Sequence, residues 1–219
     1  MDNTKIAIYN NKGGVAKTTS VINLAYCLSR HDKRVLVVDC DAQENCFSFF
    51  LSNRSADVIL HTEYDKIDHT TWFRYKQLTD APVYDYIIFD MPPVLSDEVR
   101  EIIGQCDTVY VPTILGEFEI SGLKKVTDAC GKKLGGIFVT MYQPQNDAEI
   151  IEEFRRILSS RLMTTVIPFS KTVRESQKAA LPIEAYFIER GVPKTKNTWK
   201  IVTAYEELTQ EIMRGAENG

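Results

Sequence analysis

Ile6-Ala7-Ile8-Tyr9-Asn10-Asn11-Lys12-Gly13-Gly14-Val15-Ala16-Lys17-Thr18-Thr19 joins an apolar, strand-like run to a helix-like run that starts near Lys17. That is the setting a phosphate-cradling loop needs. Glycines let backbone N–H groups turn inward toward an anion. The helix that follows offers its free N–H groups and the positive end of its dipole to the same anion. Lys17 can reach terminal phosphates, and the Thr18 hydroxyl can hold Mg²⁺. A Gly-Gly turn capping a helix beside two incidental lysines is the competing reading. The strand before, the helix after and the Lys-Thr-Thr run weigh against it.

The loop departs from the ordinary pattern G-x-x-x-x-G-K-[ST], which puts glycine at the positions of Asn11 and Ala16. A Cβ at position 16 is expected to be tolerated with the backbone at negative φ. In exchange the loop carries a second lysine, Lys12, at its start.

Outward from the loop, short β-branched or aromatic runs recur: Ile6–Tyr9, Arg34–Asp39, Tyr84–Asp90, Thr108–Pro112, Gly136–Met141 and Thr165–Pro168. Their near-continuous apolarity predicts parallel strands buried on both faces. Helical spacing lies between them. Val21, Leu24, Ala25 and Leu28 follow the loop; Ile150, Ile151, Phe154, Ile157 and Leu158 recur inside the charged stretch from Asp147 to Arg161. A last helix is expected from about Trp199 to Met213. Alternating strands and helices predict an α/β fold, a doubly wound, mostly parallel sheet flanked by helices. The stretch from Ser52 to Ala81 has no clear period; its Thr70-Thr71-Trp72-Phe73-Arg74-Tyr75 fits a strand, a helix start or a surface patch.

With 219 residues, 44% of them hydrophobic, the chain can build one full α/β core, so a single domain over 1–219 is expected. No linker, repeat or membrane-length apolar run divides it. Met1-Asp2-Asn3-Thr4 lacks the basic and apolar regions of a signal peptide, and five irregularly spaced cysteines fit reduced thiols, so a cytoplasmic protein is expected. The net charge of −4 argues against a basic-coated surface. Yet Ser170–Lys200 holds seven basic residues against three acids, which marks it as the place for a polyanion to bind.

In such sheets, ligands bind beyond the carboxyl ends of the strands. The phosphate loop lies at that edge, and so do Asp39, Asp41 and Asp90. Asp90 ends an apolar strand before Met91-Pro92-Pro93; opposite a phosphate loop this is a Walker B carboxylate, which holds Mg²⁺ through a water because Mg²⁺ sheds its shell reluctantly. Asp39 and Asp41 can both face the phosphates if the chain bends; a solvated turn with an Asx cap is the blander reading.

The loop Lys12-Gly13-Gly14-Val15-Ala16-Lys17-Thr18-Thr19 resembles the deviant Walker A motif, KGGxxK[ST], of the ParA/MinD family of ATPases. Val38-Asp39-Cys40-Asp41-Ala42-Gln43-Glu44-Asn45 is similar to that family's V-D-x-D-x-Q-x-N, with Ala42 and Glu44 where proline and glycine are usual. Asp107-Thr108-Val109-Tyr110-Val111-Pro112, Glu117-Phe118 with Gly122-Leu123, Ile167-Pro168 with Glu175-Ser176, and Ala204-Tyr205-Glu206-Glu207-Leu208 resemble further family segments, so the likeness runs over nearly the whole chain in order.

The resemblance implies ATP and Mg²⁺ as cofactors. It implies that Lys12 reaches across a dimer interface to the partner's ATP, that Asp41 orients the attacking water, and that Asp39 and Thr18 lie near the metal with Asp90. It implies that backbone at Pro168 and Phe169 surrounds the adenine. It further implies an ATP-dependent homodimer that binds DNA non-specifically, on the nucleoid, and is discharged by a ParB-like DNA-binding activator. Lys171, Arg174, Lys194, Lys196 and Lys200 are the DNA-contact candidates. Few residues precede the first strand, so the helix-turn-helix extension of longer relatives is expected to be missing. The polar end Ile212–Gly219 gives no membrane-binding helix of the MinD kind. Rival readings are a MinD-like or protein-cargo positioning ATPase, an iron-sulfur electron-donor ATPase using Cys106 and Cys130, a small-molecule ligase, and a nucleotide-binding module without turnover.

Overall fold

The computed structural model describes residues 3–43, 45–50, 59–78, 83–116 and 119–217. Glu44, the Glu117-Phe118 pair, and residues 52–58 and 79–81 of the unperiodic stretch lie outside them. The first half of the chain forms β1 (Thr4–Ile8), α1 (Lys17–Arg30), β2 (Val35–Asp39), α2 (Asn45–Phe50), β3 (Leu60–His61), β4 (Ile67–Thr71), α3 (Trp72–Tyr75) and β5 (Tyr86–Asp90). The second half adds α4 (Asp97–Gln105), β6 (Thr108–Thr113), α5 (Glu119–Cys130), β7 (Leu134–Tyr142), α6 (Pro144–Leu158), β8 (Leu162–Pro168), α7 (Thr172–Lys178), α8 (Ile183–Glu189) and α9 (Lys200–Glu217).

The strands form one sheet in the order β3-β4-β2-β5-β1-β6-β7-β8. All neighbours run parallel except β3, which pairs antiparallel with β4. The expected doubly wound, mostly parallel sheet is therefore the fold.

Both faces of the sheet are covered, which explains the unbroken apolar runs. Successive side chains point to opposite faces. Ile6, Ile8, Val35, Val37 and Ile88 pack with Val21, Leu24 and Leu28 of α1 and Tyr205, Leu208 and Ile212 of α9. Ala7, Leu36, Val38, Ile87 and Phe89 pack on the other side with Val99 and Ile102 of α4, Leu123 and Val126 of α5, and Phe154 of α6. Burying a Val, Leu, Ile or Phe side chain stabilises by roughly 1.5–3 kcal/mol each. These two layers therefore hold the sheet against chain entropy.

Two strands escaped the sequence reading. Leu60–His61 is too short to show a period, and Ile67–Thr71 reads Ile-Asp-His-Thr-Thr, polar for a buried strand. Asp68 is satisfied in place: it accepts from Tyr84 Oη at 2.8 Å and lies 2.6 Å from His61 Nδ1. The stretch Thr70–Tyr75 is strand and helix in turn. β4 ends at Thr71, whose hydroxyl accepts the Arg74 N–H, and one turn of α3 follows. The last helix begins one residue later than expected and runs on to Glu217.

β1 lies between β5 and β6, with β2 beyond β5 on one side and β7 beyond β6 on the other. The sheet order thus reverses at β1. The loop after β1 stands at the reversal, on the edge where ligands of such folds bind.

Candidate functional site

α1 starts at Lys17 with no side-chain cap and no acidic residue in its first turn. Its leading N–H groups are therefore free for an anion. Gly14 adopts φ +72, open only to glycine without strain. Ala16 departs from expectation. It sits at φ 63, ψ 32, in the left-handed region rather than at negative φ. A Cβ in that conformation costs about 1–2 kcal/mol. Strain of this kind persists only where surrounding contacts enforce it.

Those contacts come from strands distant in the chain. Asn10 is buried; its Nδ2 donates to the Pro112 carbonyl at 2.8 Å and its Oδ1 accepts the Lys12 N–H at 3.0 Å. The buried Thr140 hydroxyl donates to Thr113 O at 3.1 Å and Val15 O at 3.3 Å. The loop is thereby tied to β6 and β7. Asn10 and Thr140 went unread in the sequence. Asn10 adjoins the motif, but nothing local marks Thr140.

Lys17 is buried, and its Nζ donates to the Lys12 carbonyl at 2.9 Å. Burial lowers its pKa, while Asp90 and Asp41 oppose the shift. Lys12 is half-exposed, and its ammonium pairs with the Glu119 carboxylate at the start of α5.

Asp39 and Asp90 end adjacent parallel strands as register partners, and Ile8, at the foot of the phosphate loop, is the register partner of Asp90 on its other side. Both carboxylates are buried. Asp39 Oδ1 accepts the Asp41 N–H at 3.0 Å, and Asp41 Oδ1 accepts the Gln43 N–H at 3.0 Å. The Asx-turn reading is thus realised, with Asp39 still at the strand end beside Asp90. Neither oxygen of Asp90 has a hydrogen-bond partner among the described residues. Burial pushes its pKa up to about 8; Asp39 and Asp41 add to the rise, while the nearby Thr18 hydroxyl and Lys17 oppose it. A fully buried, unpaired carboxylate is costly unless a proton or cation joins it.

That orphaned carboxylate is what a Mg²⁺ site would need. Among the described residues, no three His, Cys, Asp or Glu side chains converge as a protein-only metal cage. Mg²⁺ needs none, since it keeps waters and takes phosphate oxygens with one or two protein ligands. Thr18, Asp90 and Asp39 fit that role.

A cavity of about 820 Å³ opens beside the loop, between Gly14 and Ala16 on one wall and Ile167, Pro168 and Phe169 on the other. Gln177 of α7 donates to Thr19 Oγ1 at 2.9 Å, and the Ile183 N–H of α8 donates to Asn23 Oδ1 at 2.9 Å. These bonds dock the α7–α8 segment on α1 and close the cavity's far side. Phe169 remains 50% exposed, leaving an apolar face free for a ligand.

The basic candidates are divided. Lys171 and Arg174 line this cavity. Lys194 lies over the Trp199 ring at 5.0 Å, in a groove with His31 and Glu206, and Lys196 and Lys200 are exposed. Cys106 and Cys130 are buried in the core beside α4 and α5. No helix among the described residues is long and apolar enough to cross a membrane.

Residues 6–183 match the family model of the CobQ/CobB/MinD/ParA nucleotide binding domain. The chromosome partitioning protein ParA of Myxococcus xanthus is 28% identical, over 95% of this chain and 87% of its own. The chromosome-partitioning ATPase Soj of Thermus thermophilus is 27% identical, over 95% of each. The septum site-determining protein MinD of Pyrococcus horikoshii, solved with Mg-ADP, superposes with a TM-score of 0.70 at 20% identity, over 94% of this chain and 96% of that one. That last likeness concerns the fold. A phosphate loop at the sheet reversal, carboxylates beside it and a family match over most of the length agree: the chain belongs to the CobQ/CobB/MinD/ParA nucleotide-binding family.

Proposed function

We propose that this chain, acting as one ATPase domain over 1–219, is a ParA-type switch that dimerises on ATP and hydrolyses it to ADP and phosphate. The observation that supports it most is the orphaned, buried Asp90 beside Asp39, next to an uncapped helix and a two-lysine loop. The amides of Gly13–Thr19 and the Lys17 ammonium would hold the β- and γ-phosphates. Bound Mg²⁺ would supply further positive charge there, held by Thr18 with Asp90 and Asp39 behind it. Asp41, on the bend after β2, would orient the attacking water. Pro168 and Phe169 would contact the base. Lys12 from a second copy would complete the charge around the γ-phosphate, so ATP would bind the dimer best and its loss would release the halves.

Relatives named for chromosome partitioning support a role in moving DNA; that role would be played in the cytoplasm and on the nucleoid. The dimer would bind DNA without sequence preference through Lys171, Arg174, Lys194, Lys196 and Lys200, and a ParB-like partner would trigger hydrolysis. Sedimentation with and without a non-hydrolysable ATP analogue tests the switch. A dimer only with nucleotide is expected, and a protein that stays monomeric refutes it. DNA binding should weaken steeply with salt; a salt-insensitive interaction refutes phosphate contacts.

A further inference from the structure

Both loop lysines are held by partners within the chain. Lys17 Nζ donates to the Lys12 backbone carbonyl at 2.9 Å, and the Lys12 ammonium pairs with Glu119. We propose that Glu119 is a positioning residue that holds Lys12 in its own subunit and competes with the partner's ATP for that ammonium. The proposal rests on the reading of Lys12 as the residue that crosses to the partner.

Three features suit Glu119 to the task. Its side chain is the fixed member of the pair, 17% exposed against 45% for Lys12. It is packed over Gly116, where even a methyl group would come within 3.3 Å of its Cγ, and its own N–H donates to the Gly116 carbonyl at 3.1 Å. It is the first residue of α5, a helix of 12 residues, where the helix amides favour a carboxylate whether or not a lysine is present. Opening the pair therefore strands no charge on Glu119. The lysine, long and half in water, is the part that can leave.

The two contacts are also linked. Phosphate drawing Lys17 into the site would take its bond from the Lys12 carbonyl and loosen the backbone that carries the second lysine. Binding of nucleotide in one subunit would thus prepare that subunit's Lys12 for the other. A half-exposed pair is weak enough to be broken by a phosphate and strong enough to bias the monomer. The threshold for dimerisation would then be set by a residue outside the phosphate-binding motifs.

The test is Glu119→Gln, which keeps shape and removes charge. In the nucleotide-free monomer, Lys12 should be acylated faster by an amine reagent, read by mass spectrometry. With a non-hydrolysable ATP analogue, dimer association should tighten by about three- to fivefold, the scale of a partly exposed ion pair. Glu119→Asp, which keeps the charge, should behave like the wild type in both. Unchanged Lys12 labelling overturns the latch. Faster labelling with unchanged association, while Lys12→Ala abolishes the dimer, overturns the competition and leaves the proposed function standing. A Lys12→Ala protein that dimerises like the wild type removes the proposed function, and the latch with it.

Discussion

Asp39 and Asp90 are register partners on adjacent parallel strands, both buried at the sheet edge that carries the phosphate loop. Two carboxylates brought together away from water cannot both stay ionised without positive charge nearby. Burial and Asp39 raise the Asp90 pKa, and the neighbouring Thr18 hydroxyl and Lys17 ammonium oppose that rise without cancelling it.

Asp90→Asn should stabilise the nucleotide-free protein while removing its response to Mg²⁺. Asp90 has its folded pKa raised from 3.8 to about 8. A raised pKa means the stabilising contribution is full below the unfolded value and is lost as pH rises through the folded one. Wild-type stability should thus fall between about pH 4 and pH 8, at up to about 1.4 kcal/mol per pH unit from this group. The variant should lack that slope. Chemical denaturation at several pH values measures it, and an identical slope in both proteins counts against the assignment.

Asp41→Ala should keep ATP binding and slow hydrolysis by about a hundredfold or more, the usual cost of losing a group that handles the attacking water. The ATP-bound dimer should accumulate. Lys12→Ala should show the opposite pattern, with nucleotide still bound by the monomer and no dimer formed. Phosphate release and sedimentation on both variants separate the two roles; rapid turnover in Asp41→Ala eliminates the first.

Ala16→Gly should raise stability, since glycine takes the observed φ of 63 without a Cβ clash. The relief of about 1–2 kcal/mol is partly offset by the extra freedom of glycine in the unfolded chain. A net gain of up to about 1 kcal/mol should move Tm by roughly 2–4 °C in a chain this long. A lower Tm in the variant would show that the loop's hydrogen bonds depend on the methyl group.

His69 makes a separate acid-sensitive point on β4. Burial pulls its pKa from 6.5 to about 4, with Asp68 opposing and Arg74 assisting. A lowered histidine pKa means full stability above the unfolded value, lost as pH falls from 6.5 toward 4. The loss should reach about 3 kcal/mol at the acid end. His69→Gln should flatten this limb of the pH profile. Acid titration followed by circular dichroism reads it, and an unchanged midpoint rejects the claim.

Much of this protein was settled by residues close together in the chain. Strand, glycine loop, Lys17 and helix follow one another within α1 and its approach, and that order is what marks the loop as a phosphate cradle in the sequence. The apolar runs ending in Asp39 and Asp90 announced buried parallel strands, because only a sheet covered on both faces tolerates them. Period and spacing are properties of neighbours, so one sequence suffices to read them. The tertiary structure decided what separated segments do to one another. It set Asp39 beside Asp90, gave Lys12 to Glu119, tied the loop to Asn10 and Thr140, and forced Ala16 into a left-handed turn. It also recruited the polar run Ile67–Thr71 as a strand, which no periodicity announces. Those outcomes depend on strand order and on which helices cover which face, and the packing of distant side chains fixes both.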